Sequence, residues 1–263
     1  MNSKTVFFDI DGTLLAPRNG LDFQMPPSTP EALRLLKENG HRIAISSGRQ
    51  EEFIRRFFPG LFDSFVAMNG THIVYEGKTV MDRPFSGARV RELMARFDAF
   101  GCEYVFVGQR RGWARRIPGS LIGYMNHSYG IPDFLITEWK PEDVRANMMD
   151  FVFESDADYE RQAGAFTDDM ILNRHPGALT SDLSFRGWNK AQGIAEFLRY
   201  AGIAKEDTVA FGDGFNDIGM MGAVGCSVAM GNAVPEVKQA ADYVTTNLFD
   251  DGIYNGLRHL GLI

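Results

Sequence analysis

The sequence is poor in cysteine, in positive charge and in long apolar runs. Its two cysteines, Cys102 and Cys226, lie far apart, so we expect reduced thiols and a cytoplasmic protein. The formal net charge of −7 argues against nucleic acid as a partner, because phosphate backbones attract basic surfaces. No apolar leader precedes the first predicted strand, and glycines interrupt the apolar stretch 218–234, so we expect no signal segment and no membrane span.

Predicted strands and helices alternate at both ends of the chain. Its 263 residues, 44% of them hydrophobic and 23% charged, are enough for one large or two moderate globular domains. The alternation runs to about residue 82 and resumes at about residue 186, which is typical of a parallel α/β sheet. In between, the strand-like runs are short and the polar segments are longer. We therefore predict an α/β domain, residues 1–82 and 186–263, with an α+β domain, residues 83–185, inserted into it.

Two carboxylates directly follow the first predicted strand. Residues 5–8, Thr-Val-Phe-Phe, form an apolar run typical of a strand that is buried on both faces. Asp9 and Asp11 lie at its carboxyl end, where open α/β sheets bind ligands, and their spacing of two places both on one face. Two carboxylates so close repel each other, and a hard cation such as Mg²⁺ would relieve that repulsion.

Three further polar clusters lie at the carboxyl ends of predicted strands or just before helices. They are Ser47-Gly48-Arg49, Lys190, and Asp213 with Asn216 and Asp217. Because the carboxyl ends of parallel strands share one edge of a sheet, we expect these clusters to converge with the first pair of carboxylates. Together they contain what phosphoryl transfer needs: a nucleophile, ligands for a divalent metal, cationic and N–H donors, and a proton carrier.

In this order the four clusters resemble the four motifs of the haloacid-dehalogenase (HAD) superfamily. The motifs are Asp9-Ile10-Asp11-Gly12-Thr13, Ser47-Gly48-Arg49, Lys190 and Gly212-Asp213-Gly214-Phe215-Asn216-Asp217. The insertion is similar to the type II-B cap of the Cof-type sugar-phosphatase-like branch, and the segments Asn69-Gly70 and Val228–Ala233 also fit that branch. The resemblance implies a three-layer, Rossmann-like parallel sheet as the core and an inserted cap that selects the substrate.

The resemblance implies catalytic roles for four residues. Asp9 would be the nucleophile that carries the phosphoryl group, and Asp11 would protonate the leaving alkoxide and then activate water. Ser47 would donate a hydrogen bond to a phosphoryl oxygen, and Lys190 would neutralise the nucleophile and the developing charge. Family ATPases carry Thr at the position of Asp11, so the Asp in this chain favours hydrolysis over a long-lived phosphoenzyme.

The resemblance also implies a Mg²⁺ site and a set of substrate contacts. The cation would be held by the Asp9 carboxylate, the Asp11 backbone carbonyl and the Asp213 carboxylate. Asp217 would act through a metal-bound water. In the core, the groups expected to bind the substrate are the backbone N–H groups near Gly12 and Gly48 and the side chains of Arg49 and Asn216. In the cap, Arg174 and His175 are expected to contact the substrate on a different ground: they follow a predicted strand and directly precede the return of the chain to the core.

These features predict a Mg²⁺-dependent phosphatase of a small phosphorylated metabolite: a sugar phosphate, a sugar-alcohol phosphate or a cofactor- or nucleotide-type phosphate. A phosphomutase would need the same core residues but would yield an isomerised product. A non-catalytic sensor phosphorylated at Asp9 is another alternative, although a sensor has no need for the leaving-group acid that Asp11 would supply. We expect a monomer or small homo-oligomer with no nucleic-acid or membrane partner.

Overall fold

The structure, a computed structural model, describes residues 3–174 and 180–263 and divides into two compact units. Unit 1 comprises Met1–Arg49, Gly60–Met81 and Asn189–Ile263, and unit 2 comprises Gln50–Pro59 and Asp82–Trp188. The sequence analysis assigned residues 50–59 to the first domain, whereas their contacts group them with unit 2.

Strands and helices alternate through most of the chain. In chain order the strands are β1 (Thr5–Phe8), β2 (Ala16–Arg18), β3 (Leu21–Gln24), β4 (Arg42–Ser46), β5 (Phe65–Ala67), β6 (His72–Tyr75), β7 (Lys78–Asp82), β8 (Glu103–Val107), β9 (Gly112–Arg115), β10 (Leu135–Ile136), β11 (Met148–Val152), β12 (Met170–Arg174), β13 (Thr180–Phe185), β14 (Thr208–Gly212), β15 (Cys226–Ala229) and β16 (Tyr243–Val244). The helices are α1 (Ser28–Glu38), α2 (Glu51–Phe57), α3 (Gly87–Ala99), α4 (Gly119–Tyr129), α5 (Asp156–Gln162), α6 (Lys190–Ala201), α7 (Ile218–Ala223), α8 (Pro235–Ala240) and α9 (Gly252–His259). Across residues 3–174 and 180–263, none of the helices combines the length and the apolar character that crossing a bilayer requires.

Unit 1 is built on an eight-stranded sheet of order β16-β15-β14-β1-β4-β5-β6-β7. The strands from β16 to β5 pair in parallel, and β6 pairs with β5 in the antiparallel sense. All four residues of β1 are buried, as its apolar run predicts. Phe8, the last residue of β1, lies level with Ile45 on one side and Phe211 on the other. The residues that follow β1, β4 and β14 therefore leave the sheet at the same edge.

Helices cover both faces of this sheet. The Phe7 ring packs edge-on against Phe197 of α6, with ring centroids 5.2 Å apart. The Phe8 ring stacks on Phe211, which in turn lies against Gly256 of α9. Because consecutive strand residues point to opposite faces, α6 and α9 lie on opposite sides of the sheet. The predicted three-layer α/β core is thereby confirmed.

Unit 2 contains a six-stranded sheet of order β10-β9-β8-β11-β13-β12. The pairs are antiparallel except for β10 with β9, so the unit mixes helices with a largely antiparallel sheet. Its core is aromatic: Phe97 of α3 packs edge-on against Phe151 of β11, and Tyr104 packs edge-on against Phe106 on β8. Such ring pairs add roughly 0.5–1.5 kcal/mol each beyond the burial of their area.

Helix α2 belongs to unit 2 because unit 2 supplies its cap and its packing partner. Two amides in the first turn of α2 donate to Gln109, one to its side-chain oxygen at 3.3 Å and one to its backbone oxygen at 3.2 Å. The N-cap residue of α2, Gln50, accepts no such hydrogen bond on its own side chain. The stacked rings of Phe53 and Phe57 lie against Gly130, where a Cβ atom would come within 2.8 Å of both rings.

Gly193 of α6 offers a test of how closely the backbone packs in unit 1. A Cβ atom on Gly193 would lie 2.5 Å from both the Gly70 Cα and the Val66 Cγ1. Gly193→Ala is expected to lower the free energy of unfolding by about 1–3 kcal/mol through overpacking. Gly222→Ala, in α7 with nothing within 4 Å, is the control and should leave stability unchanged or raise it by about 0.5–1 kcal/mol. Equal effects in urea unfolding would contradict the close approach.

Candidate active site

The predicted polar clusters meet at the carboxyl edge of the parallel strands in unit 1. Asp9 follows β1, Ser47 follows β4 and Asp213 follows β14. The Asp9 amide still donates to the Phe211 carbonyl at 2.9 Å, so this residue is fixed to the sheet by the ladder itself. Lys190 is the first residue of α6. Four segments distant in sequence thus supply one site, as the parallel pattern predicts.

Lys190 lies at the centre of this site and is fully buried. Its Nζ donates to Asp9 Oδ1 at 2.7 Å and to Asp217 Oδ1 at 2.6 Å. Asn189 caps α6 by accepting two amide hydrogen bonds, so the helix begins with Lys190 pointing into the site. Burial alone would lower the pKa of Lys190, but the charges of Asp217 and Asp9 raise it above its ordinary value. Lys190 therefore remains a cation.

Three carboxylates cluster beside this lysine. Oxygen atoms of Asp9, Asp213 and Asp217 lie within 4.8 Å of one another. Burial, reinforced by the charge of Asp217, raises the pKa of Asp9 well above its ordinary value. Burial, together with the charge of Asp217, also raises the pKa of Asp213 to about 7. Since Lys190 balances the charge of one carboxylate and the cluster offers only oxygen ligands, these residues fit Mg²⁺.

Asp217 also organises the turn that follows β14. Its Oδ2 accepts hydrogen bonds from the amides of Asp213 and Gly214, both at 2.9 Å, while its Oδ1 accepts from Lys190. The side chain is fully buried and both of its oxygens are engaged. These bonds set the position of the Asp213 backbone. The contact of Asp217 with a metal through water stays a prediction.

Gly12 allows the first and fourth motifs to approach each other. Its φ is +85°, and a Cβ atom at this position would overlap the Asp213 carboxylate. Thr13 Oγ1 donates to Asp213 Oδ1 at 2.7 Å. Asn232, to which the sequence analysis assigns no role, donates to the Gly12 carbonyl at 2.8 Å and accepts from the Leu248 amide at 2.8 Å. The loop that carries Asp11 is therefore held from two sides.

Asp11 is not one of the three clustered carboxylates, and it pairs with Arg49. The two side chains form a bidentate contact, Nε to Oδ2 at 2.8 Å and Nη2 to Oδ1 at 2.7 Å. The Arg49 guanidinium also lies 5.4 Å from the centre of the Phe23 ring on β3. The sequence analysis expected Arg49 to bind the substrate and did not foresee this partner, because 38 residues separate the two. Both predicted roles remain predictions.

The predicted phosphate donors surround Asn69. Buried Ser47 accepts a hydrogen bond on its Oγ from the Arg49 amide at 3.2 Å. Asn69 Oδ1 accepts from Asn216 Nδ2 at 3.4 Å and lies against Gly48. The sequence analysis quoted Asn69 only as part of a pattern typical of the branch, and the one signal available was an Asn-Gly pair at the end of a strand.

Arg174 and His175 are the two site residues predicted in the inserted domain. Arg174 is the last residue of β12 and pairs in register with Ser181 of β13. His175 lies outside the described residues. The contacts of both with a substrate stay predictions.

The sequence matches known proteins over nearly its whole length. Residues 6–257 match the model of a family described as haloacid dehalogenase-like hydrolase. The chain is 32% identical to YkrA of Bacillus subtilis (strain 168), over all of both proteins. It is 27% identical to pyridoxal phosphate phosphatase YbhA of Escherichia coli (strain K12), over 98% of this chain and all of that protein. It is also similar to the solved structure of the HAD subclass IIB sugar phosphatase BT4131, with a TM-score of 0.80 and 28% identity over 99% of this chain and 100% of that one.

Mg²⁺ is expected to raise the Tm of the protein, because a ligand that binds only the folded state stabilises it by about 2.7 kcal/mol at 100 times its Kd. Asp213→Asn removes one of the clustered carboxylates and should lose most of this shift. Asp251→Asn, at an exposed carboxylate, is the matched control and should keep it. Thermal unfolding with Mg²⁺ and with a chelator measures the shift in Tm for each variant. An undiminished shift in Asp213→Asn would rule out this metal site.

In the presence of a chelator, stability is expected to fall as the pH rises from about 4 to about 7. The folded protein binds a proton at Asp213 more tightly than the unfolded chain, whose aspartates titrate near their ordinary value of 3.8. The stabilising contribution is therefore complete below about pH 4 and is lost as the pH rises through the raised pKa of about 7. Tm measured against pH should show this slope in the wild type and a smaller one in Asp213→Asn; parallel profiles would contradict it.

Proposed function

The chain belongs to the haloacid dehalogenase-like hydrolase family, and on that premise we propose that it is a Mg²⁺-dependent phosphatase of small metabolites that works through a phosphorylated Asp9. The observation that carries the proposal is the buried cation of Lys190, 2.7 Å from Asp9 Oδ1, beside a cluster of carboxylates. Phosphoryl transfer through a phosphorylated enzyme requires a nucleophile, a neighbouring cation and a metal site. Asp9, Lys190 and the carboxylate cluster would supply these three parts.

In the first step, a carboxylate oxygen of Asp9 would attack the phosphorus, and the bond from phosphorus to the substrate's alkoxide oxygen would break. Asp11 would pass its proton to that leaving oxygen. Lys190 would offset the charge of the nucleophile and then the charge on the phosphoryl oxygens. The hydroxyl of Ser47 and the side-chain amide of Asn216 would donate hydrogen bonds to the same phosphoryl oxygens.

In the second step, Asp11 would take a proton from water as the water oxygen attacks the phosphorus. The bond between phosphorus and Asp9 would break, which releases inorganic phosphate and restores the carboxylate. The bidentate pairing with Arg49 fixes the position of the Asp11 carboxylate through both of its oxygens. A carboxylate at this position supports hydrolysis rather than a stable phosphoenzyme.

The metal would be held by the carboxylates of Asp9 and Asp213 and by the backbone carbonyl of Asp11. When bound, Mg²⁺ would neutralise charge on the phosphoryl group and help to orient it for in-line attack. Thr13 and Asp217 hold Asp213 in place through its side chain and its backbone amide, at 2.7 Å and 2.9 Å. These bonds support a preformed site in which little reorganisation accompanies binding.

The substrate we propose is a sugar phosphate, a sugar-alcohol phosphate or a cofactor-type phosphate, because the similar proteins include a sugar phosphatase and a pyridoxal phosphate phosphatase. Arg174 and His175 of the inserted domain would contact its organic part. Cys102 and Cys226 are free thiols, which supports a cytoplasmic location.

Phosphate release from a panel of such esters, with Mg²⁺ or with a chelator, tests the proposal. Asp9→Asn is expected to lower kcat/KM by roughly 1,000-fold or more, because it removes the nucleophile. Asp251→Asn, an exposed change of the same kind, should leave the rate unchanged. Circular dichroism checks that both variants fold.

Release that persists in Asp9→Asn or in chelator would overturn the mechanism. An isomerised product without free phosphate would instead indicate a phosphomutase. Stable phosphorylation of Asp9 without turnover on any ester would favour the sensor.

A further inference from the structure

The turn that follows β5 in unit 1, Met68–Gly70, has an unusual backbone. Its three residues have consecutive positive φ angles of 53°, 51° and 97°. Positive φ is uncommon outside glycine, and asparagine tolerates it better than methionine does. Such a conformation persists only where its surroundings hold it, and it occurs preferentially at functional sites. Neighbouring segments must therefore hold this turn in its conformation.

Two motifs of the site hold the turn in place. Its first two amides donate to the carbonyls of Arg49 and Ser47, at 3.2 Å and 3.1 Å. Gly70 lies so close to the Asn189 carbonyl that a Cβ atom would overlap it, and it also lies against Gly193 of α6. The turn thus joins the segment that follows β4 to the first turn of the helix that begins with the buried lysine.

The Asn69 side chain points between two groups that are predicted to bind phosphate. Its Oδ1 accepts from Asn216 Nδ2 at 3.4 Å. Its amide group packs on Gly48, with Oδ1 at 3.2 Å and Nδ2 at 3.4 Å from the position that a Cβ atom would occupy there. The side chain is buried, since only 8% of Asn69 is exposed. It therefore fills the space between the second and fourth motifs.

We propose that Asn69 is a positioning residue of the phosphate-binding groups: its amide sets the distance between the Gly48 backbone and the Asn216 side chain, so that their donors face the same phosphoryl group. This rests on the proposed function and deepens it by giving Asn69 a role in that site.

The chemistry of the position favours asparagine over its nearest substitutes. Glycine would satisfy the backbone at Asn69 but would leave Asn216 without its acceptor. Aspartate would keep that acceptor but would place a negative charge beside a bound phosphate. An amide alone combines a tolerance of positive φ with a neutral acceptor.

Asn69→Gly separates this role from a merely structural one, because it keeps the backbone conformation and removes the amide. With Mg²⁺ and p-nitrophenyl phosphate, kcat/KM is expected to fall about 10- to 100-fold, the range for a lost hydrogen bond and a misplaced donor. Tm should stay within about 4 °C of the wild type. Asn19→Gly is the matched control: Asn19 has a φ of 54° in the exposed turn between β2 and β3, and its replacement should leave kcat/KM unchanged.

Two further variants read out positioning directly. Asn69→Asp should raise KM, and the inhibition constant of inorganic phosphate, more than it lowers kcat. In an Asn216→Ala background, Asn69→Gly should cost no more than about twofold, because the group that it positions is gone. A purely structural residue would show neither the KM-against-kcat split nor this coupling.

The outcomes separate the two proposals. If the wild type is active and Asn69→Gly keeps its kcat/KM, or loses the same factor with and without Asn216, the positioning role is wrong and the phosphatase stands. If the wild type releases no phosphate from any ester, the proposed function fails. In that case, calorimetry with Mg²⁺ and inorganic phosphate tests the positioning role of Asn69 separately. Phosphate binding that is weaker than wild type in Asn69→Gly but not in Asn19→Gly supports the role. Phosphate binding equal to that of the wild type, or no phosphate binding, overturns it.

Discussion

A buried lysine held between two carboxylates is the interaction on which the rest of the site depends. Lys190 connects Asp9 at the end of β1 to Asp217 in the turn after β14, across 181 and 27 residues of sequence. Removing one partner of such a buried pair leaves an uncompensated charge and costs about 3–5 kcal/mol. The same contact that stabilises the carboxyl edge of the sheet also places a cation beside the candidate nucleophile.

Close backbone approach is the second constraint, and it explains where glycine is required. Gly12 lies where a side chain would overlap the Asp213 carboxylate, and Gly193 lies back to back with Gly70. These contacts bring segments from the two ends of unit 1 within hydrogen-bonding distance of one another. Because interiors are close-packed, such approaches tolerate no added atom without displacement of a neighbour. The glycines thus set the dimensions of the site.

The site also carries a cost in stability. Burial raises the pKa of Asp9 and of Asp213, and Met68 and Asn69 adopt backbone conformations that the chain would otherwise avoid. Natural proteins concentrate such departures at functional sites and compensate for them elsewhere. Here the compensation lies in the packed parallel sheet and, in the proposed function, in a bound divalent cation.

Local patterns in the sequence determined the buried first strand, the alternation of strands and helices at both ends of the chain, and the polar residues at the carboxyl edge. This is because strand and helix periodicity and the spacing of Asp9 and Asp11 depend on neighbours along the chain. Only the tertiary structure decided that Asp11 pairs with Arg49, that Asn69 lies between Gly48 and Asn216, and that α2 packs within unit 2. An apolar stripe or a charged side chain shows that a partner is needed, but the partner's identity depends on contacts between residues far apart in sequence, which no local pattern encodes.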